Sequence, residues 1–218
     1  MSHYKQYPAY KDSGVEWIGC VPEHWEVKPV YSVASLRNGF PFKSELFRKE
    51  GLRHNRILGI RDITGDDEAI YSEEISPGWA VIKEGDILIG MDGDFNVHRW
   101  ERGTAKLNQR MCAVNGVSDG ISCLLNHSLA IPLKVINDLA YATTVKHLSS
   151  YEVLHIHIPV PPKDELDCIN QRLTSETTRI DTLISKKTRF IELLKEKRQA
   201  LITHAVTKGL DPNVKMKD

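Results

Sequence analysis

The sequence predicts an α+β protein: a globular domain with a twisted, irregular sheet, followed by one long helix that forms a coiled coil. Three observations predict it. Residues 1–160 alternate short apolar runs with Gly- and Pro-bearing turns, the punctuation of short strands. One stretch near residues 129–147 interrupts that rhythm with helical spacing. From about residue 164, apolar residues recur every seven positions, the seam of a helix that packs on another helix.

Taking the elements in order, Ile57-Leu58-Gly59-Ile60, Trp79-Ala80-Val81-Ile82, Asp86-Ile87-Leu88-Ile89 and Cys112-Ala113-Val114 are expected as strands. Ser76-Pro77-Gly78, Lys83-Glu84-Gly85-Asp86 and Met91-Asp92-Gly93-Asp94 are expected as turns, because Gly supplies positive φ and Asp bonds its own backbone. Between Leu129 and about His147, Ile131, Val135, Ile136, Leu139 and Ala140 can share one helical face.

Pro159, Pro161 and Pro162 then form a stiff approach that no helix can cross. Beyond them Leu166, Leu173, Ile180, Leu194 and Leu201 keep the seven-residue register, with Lys187 the odd member. Ile169, Leu183, Ile184, Phe190, Ile191 and Ala205 widen the stripe. Gly209 and Pro212 supply a stop. A helix of about 40 residues is about 60 Å long, and an apolar stripe of that length needs a partner helix. The expected organisation is a domain over 1–160, a helix over 161–212 and a tail over 213–218.

Composition narrows the class only slightly. Hydrophobic residues make up 41% and charged residues 27%, as in ordinary soluble proteins. No apolar run is long enough to span a bilayer, and the N-terminus is polar and aromatic, unlike a signal peptide. Cys20, Cys112, Cys123 and Cys168 are scattered, which reads as free thiols in a reducing cytoplasm. Net charge is +0, and residues 1–160 hold 17 Lys/Arg against 20 Asp/Glu. A nucleic-acid-binding domain usually carries a basic excess. If this one binds DNA, its cations must be gathered on one face, or a partner must supply much of the phosphate attraction.

Catalytic signatures are missing from the sequence. There is no P-loop and no Gly-x-Ser-x-Gly elbow. The paired prolines of Val160-Pro161-Pro162-Lys163 do not make an Asn-Pro-Pro-aromatic methyltransferase motif. Asp92 and Asp94 flank Gly93 after an apolar strand. Two such carboxylates can hold Mg²⁺, but Asp-Gly is also ordinary turn chemistry, and the turn is the better reading. His155 and His157 would share a face if residues 152–158 form a strand, yet no third metal ligand stands nearby. Trp17 and Trp25 can stack on bases, though in their SGVEW and EHW contexts they are better read as pins for the N-terminal arm. No catalytic residue and no metal ligand is assigned.

Several strings together resemble one family. They are YPAYKDSGVEWIG and VPEHWEV near the start, GDILIGMDGDFNV, LNQRMCAV and TTVKHLSS in the middle, and IPVPPKDE with RQALITHAVTKGLDPN at the end. In this order they resemble the DNA-specificity subunit of type I restriction-modification enzymes. The closing Lys217-Asp218 also matches the Lys11-Asp12 that opens Ser-Gly-Val-Glu-Trp, the join at which the family's second copy begins. A full subunit of that family carries two target-recognition domains and two long helices as a repeat, and this chain has one of each.

The resemblance implies a non-catalytic DNA reader in a half-length form. It implies double-stranded DNA, a methyltransferase subunit and, through the complex, a restriction subunit as partners. S-adenosylmethionine, ATP and Mg are expected on those partners, with no cofactor on this chain. The second helix is expected from a homodimer, its interface formed by Leu166, Ile169, Leu173, Ile180, Leu183, Ile184, Ile191, Leu194 and Leu201. Lys106, Asn108, Gln109 and Arg110 fall on a strand the family shares, and are expected as support or backbone contact.

Reading DNA requires cations for phosphates and amides, imidazoles or guanidinium groups for base edges. Three stretches qualify: residues 38–44 with Lys43; residues 94–103 with Asn96, His98, Arg99 and Arg102; and residues 143–150 with Thr143, Thr144 and Lys146. The second and third are favoured. Two other classes stay open: a coiled-coil assembly protein without DNA specificity, and a small metal-dependent enzyme using Asp92, Asp94, His155 and His157.

Overall fold

The computed structural model describes residues 6–64, 69–139 and 146–209. Its central strand is β11, Met111–Gly116, and its alternation organises the domain. Cys112 and Val114 face one core with Ile89, while Met111 and Ala113 face a second core with Leu88. A strand covered on both sides reads as a continuous apolar run, which is why Cys112-Ala113-Val114 and Ile87-Leu88-Ile89 were legible as strands. Burial drives the Cys112 thiol up to about 12.

β11 lies between β4 (Ala34–Asn38) and β8 (Ile87–Gly90), with β9 (Val97–Arg99) at the edge. All three pairings are antiparallel. A second sheet has the order β6 (Ile70–Tyr71), β5 (Arg56–Leu58), β10 (Ala105–Leu107), β7 (Val81–Ile82), with β10 parallel to β5. Leu58, Ile82, Ala105 and Leu107 pack with Trp100 onto Leu88, Met111 and Ala113, so the two sheets share one core.

The other core is closed by helices. They are α2 (Asp119–Ser128), α3 (Ala130–Leu139) and α4 (Ser150–His155); α1 is a single turn, Arg61–Thr64. Ser118 caps α2 by accepting the Ile121 N–H. Ser149 and Glu152 form a reciprocal capping box on α4, which satisfies two N–H groups at the helix start.

Three sequence expectations are corrected here. The helix expected over 129–147 is seen over Ala130–Leu139 and does not include His147, which forms a β-bridge with Asp92; residues 140–145 lie outside the described residues. Its buried face carries Leu129 and Leu133 with Ile136 packed alongside, while Ile131 and Leu139 are exposed; Ala140 lies outside the described residues. The stretch offered two overlapping apolar stripes, and the one continuous with Leu124 and Leu125 of α2 won. Residues 152–155 are helical, so His155 and His157 do not share a strand face. His155 stacks on Tyr151 at 3.8 Å between ring centroids, whereas His157 opens β12 (His157–Val160).

The N-terminal arm is pinned through Trp25, one of the two tryptophans the sequence suggested, whereas the Trp17 indole N–H has no hydrogen-bond partner among the described residues. A hairpin of β1 (Tyr10–Asp12) and β2 (Cys20–Pro22) leads to β3 (Glu26–Pro29), which pairs with β12. The Glu165 carboxylate accepts hydrogen bonds from Tyr7 Oη (2.7 Å) and Trp25 Nε1 (3.0 Å), and lies 2.6 Å from His24 Nε2. The Tyr7 bond, then those of His24 and Trp25, hold this carboxyl below the usual range.

The long helix α5 runs Lys163–Lys208, 46 residues, or roughly 70 Å at about 1.5 Å per residue. Asp164 and Glu165 in its first turn suit the helix dipole. At its end Gly209 has φ +76° and donates its N–H to the Ala205 carbonyl at 3.2 Å, a left-handed cap. Pro212 and the tail lie outside the described residues.

By packing, the chain divides between Asn170 and Gln171. The first turns of α5 belong with the domain: Leu166 is buried in its core, and Asn170 Nδ2 donates to the Gly120 carbonyl at 2.8 Å. Sequence boundary and packing boundary differ because the first reads where the helix begins and the second where its contacts with the domain end. From Gln171 onward the stripe residues Ile180, Leu183, Ile184, Ile191, Leu194 and Leu201 are all exposed, between 47% and 62%.

Candidate nucleic-acid interface

The structure brings the described part of one favoured stretch, residues 146–149, against the turn that leads into the other. β8 ends at Gly90, and the chain turns through residues 91–96 before β9. Residues 146–149 lie against this turn. The Leu148 N–H donates to the Met91 carbonyl at 2.7 Å, and Asp92 Oδ1 lies 2.7 Å from His147 Nδ1. Arg110 Nη1 is 3.4 Å from the other carboxylate oxygen of Asp92. Lys146 Nζ donates to Asn137 Oδ1 at 2.7 Å, and Asn137 Nδ2 donates to the Gly93 carbonyl. Asp92 is thus engaged by His147 and Arg110, and Gly93 has the positive φ (+79°) of a tight turn. Among the described residues, no group of three or more His, Cys, Asp or Glu side chains is placed to hold a metal ion.

The turn is built over a buried aromatic. Phe95 is 2% exposed and has φ +50°, a backbone conformation that costs a non-Gly residue energy and is kept where surrounding packing enforces it. Burial of its ring in the helix-covered core supplies that packing. Beside it, Asp94, Asn96, Lys134, Asn137 and Asp138 line a cleft of about 400 Å³ against α3. Its lining mixes amides, one cation and two carboxylates, which suits hydrogen-bonded recognition.

The other site residues are distributed as follows. Asn96 is in the cleft. Lys146 reaches it through Asn137. Thr143 and Thr144 lie outside the described residues. His98 is exposed on the edge strand β9, opposite Leu88. Arg99, opposite Ile87, is near enough to His127 to add to the lowering that burial mainly causes in that imidazole. Lys43 stands apart, on the loop after Phe42, with its N–H donated to Glu74 Oε2 at 2.9 Å.

Arg102 falls in a separate cavity of about 300 Å³ with Arg53, Arg56, Tyr71 and Trp100. Lys106 is buried, its Nζ donating to the carbonyls of Ser72 and Glu74 at 2.8 Å each, and burial lowers its pKa. That is the supporting role expected of it. Lys134, Asn137, Arg53 and Arg56 were not singled out from sequence. The first two read as an ordinary polar helix face, and the last two sit in an RHNR string between turns.

The structure is thus an α+β domain built on two four-stranded sheets, with polar loops at its strand ends, and a long helix whose apolar stripe is exposed beyond Gln171. The chain belongs to the type I restriction-modification DNA specificity family: residues 22–202 match the family described as the type I restriction modification DNA specificity domain. It is 35% identical over 200 residues to the EcoBI specificity subunit of a type I restriction enzyme from Escherichia coli, covering 90% of this chain and 41% of that protein.

The fold is similar to a chain from a type I R-M system described for its complex assembly and conformational transition, with TM-score 0.69 and 17% identity over 92% of this chain and 49% of that one. It is also similar to the HsdS subunit from Thermoanaerobacter tengcongensis, with TM-score 0.60 and 17% identity over 92% and 48%. At such identities the likeness is one of fold. The chain therefore spans about two fifths of the curated relative and about half of each structural one.

Proposed function

We propose that this chain is a non-catalytic DNA-sequence reader of a type I restriction-modification complex. Its α+β domain reads one half of a gapped target. Its long helix pairs with the same helix of a second copy and sets the spacing between two such domains. The helical region docks the methyltransferase subunit, and the restriction subunit joins through the complex. S-adenosylmethionine, ATP and Mg belong to those partners, and the assembly works in the cytoplasm. Among the described residues no helix is long and apolar enough to cross a membrane.

The observation that carries this reading is the family match over residues 22–202 on a chain whose helix exposes a seven-residue apolar register. Two copies related by a two-fold axis require a target with the same symmetry. The test is selection from a random duplex pool by the complex of this chain with its methyltransferase. Enrichment of a gapped palindrome supports the reading. Enrichment of an asymmetric site rejects the homodimer, and no enrichment by a soluble complex rejects DNA reading.

A further inference from the structure

We propose that two charged residues in the apolar stripe of α5 fix how two copies of this helix pair: the copies run antiparallel, with Glu176 of each facing Lys187 of the other. The inference rests on the homodimer proposed above and deepens it, since it assigns the register of the pair and the residues that set it.

The helix carries two interleaved series of seven-residue spacing. Leu173, Ile180 and Leu194 belong to one, with Lys187 as its odd member. Ile169, Leu183 and Phe190 belong to the other, with Glu176 as its odd member. Together they are the a and d positions of a heptad seam. Ile180, Leu183, Phe190 and Leu194 are 52%, 47%, 61% and 49% exposed, so this seam is open. Lys187 lies in the middle of it. A helical side chain reaches the residues three and four positions away, and for Lys187 these are Leu183, Ile184, Phe190 and Ile191. No acid on its own face is placed to neutralise it. Glu176 has Arg179 beside it, with Nη1 3.0 Å from Oε2. That pair is solvent-exposed and therefore weak, and a carboxylate accepts from more than one donor.

A charge buried in a seam is costly unless it is matched across it. Parallel, in-step helices stack a on a and d on d. Lys187 would then face the partner's Lys187, and Glu176 the partner's Glu176. Antiparallel helices stack a on d. With Glu176 opposite the partner's Lys187, Leu173 meets the partner's Phe190 and Ile180 meets the partner's Leu183. The two-fold axis repeats each layer, so two ion pairs flank an apolar centre. A slip of one heptad in one direction sets Lys187 on the partner's Ile169 and Glu176 on the partner's Ile180. In the other direction they fall on the partner's Leu183 and Leu194. Both slips leave both charges against apolar residues.

The charge of the whole helix agrees. Residues 163–185, its first half, hold three Lys/Arg against five Asp/Glu, and residues 186–208 hold seven against two. Parallel pairing lays the basic half on the basic half, whereas antiparallel pairing opposes unlike halves. Polar residues at seam positions are known to specify register and orientation at some cost in stability. A one-heptad slip moves the copies by about 10 Å, the length of about three base pairs, so the same pair sets the gap between the half-sites.

The test uses the full chain, with the dimer dissociation constant measured by analytical ultracentrifugation and folding checked by circular dichroism. Lys187→Glu should raise that constant about tenfold or more, because two like-charge contacts replace two ion pairs. Glu176→Lys should do the same. The double swap should return it to within about threefold of the wild type, since the two sites act as one unit. A second variant reads the register directly. Leu173→Cys and Phe190→Cys stand about 25 Å apart on one helix, so a disulfide joining these positions must link two copies. Peptide mass spectrometry after oxidation should find that 173–190 link. Links of 173 to 173 or 190 to 190 would mean parallel helices and overturn the proposal. A wild-type dimer that the single swaps leave unchanged, or that the double swap does not rescue, overturns the register while the homodimer stands. A wild type that stays monomeric sinks the homodimer itself.

Discussion

Asp86 is the residue whose loss should damage the domain in the most instructive way. It lies in the turn before β8 and is 6% exposed. Its Oδ2 accepts from Arg37 Nη2 at 2.5 Å and from the Lys83 N–H at 3.0 Å, and its Oδ1 accepts from Asn115 Nδ2 at 2.6 Å. Arg37 Nη1 continues to the Val81 carbonyl at 2.9 Å. One carboxylate thus ties β4, β11 and the turn into β8, and its partner arginine reaches the second sheet at β7.

Asp86→Ala leaves a guanidinium, an amide and a backbone N–H without their acceptor. Removing one partner of a buried pair costs about 3–5 kcal/mol. The Arg37 side chain is 28% exposed, so water re-solvates part of it, and the expected loss is near the lower end, about 3 kcal/mol. Against a stability of about 5–15 kcal/mol, this is a fifth or more of the total. Urea unfolding measures it, with the slope of the transition expected to stay constant. Asp86→Asn, which keeps the shape and one acceptor, should fall between. A loss below about 1 kcal/mol for the alanine variant would refute the reasoning that this network locks the sheets together.

Three further outcomes are expected. Gly39→Ala should prevent stable folding, because its Cβ would meet the Asn108 carbonyl oxygen at 1.8 Å and Gln109 N at 2.8 Å; soluble yield and circular dichroism report it. Glu165 has a lowered folded-state pKa, first through Tyr7 and then through His24 and Trp25. The stabilisation is therefore complete above its unfolded-state value and lost as pH falls through the lower folded one, so Glu165→Gln should flatten the acid limb of a stability–pH curve. Replacing Ile184, Ile191 and Leu194 with Lys should turn the proposed dimer into a monomer in light scattering, with the melting of residues 6–170 unchanged. A dimer that persists would move the interface elsewhere.

How far the sequence carried this account depends on the range of the interactions involved. α5 was legible from end to end because its apolar register is local and repeats. β8 and β11 were legible because both faces are buried. α2 escaped notice because Gly120 and Ser122 weaken its pattern. They are there for packing: a Cβ on Gly120 would lie 3.3 Å from Leu166 and 3.6 Å from Asn170, while Ser122 Oγ accepts the Gly116 N–H. For the site, the polar composition of residues 94–98 and Lys146 was visible. The junction of the two loops through Asn137 was not, since it depends on where α3 lies. The arginine cavity needed more still, because residues 53, 56, 71, 100 and 102 meet only once β5 has paired with β6 and β10.

Base-modification sequencing of DNA from cells expressing this chain with its cognate methyltransferase subunit tests the central claim most directly. The account predicts a new methylated motif that is gapped and palindromic, with methyladenine on both strands. The absence of any new motif, with both proteins soluble and co-purifying, would contradict it.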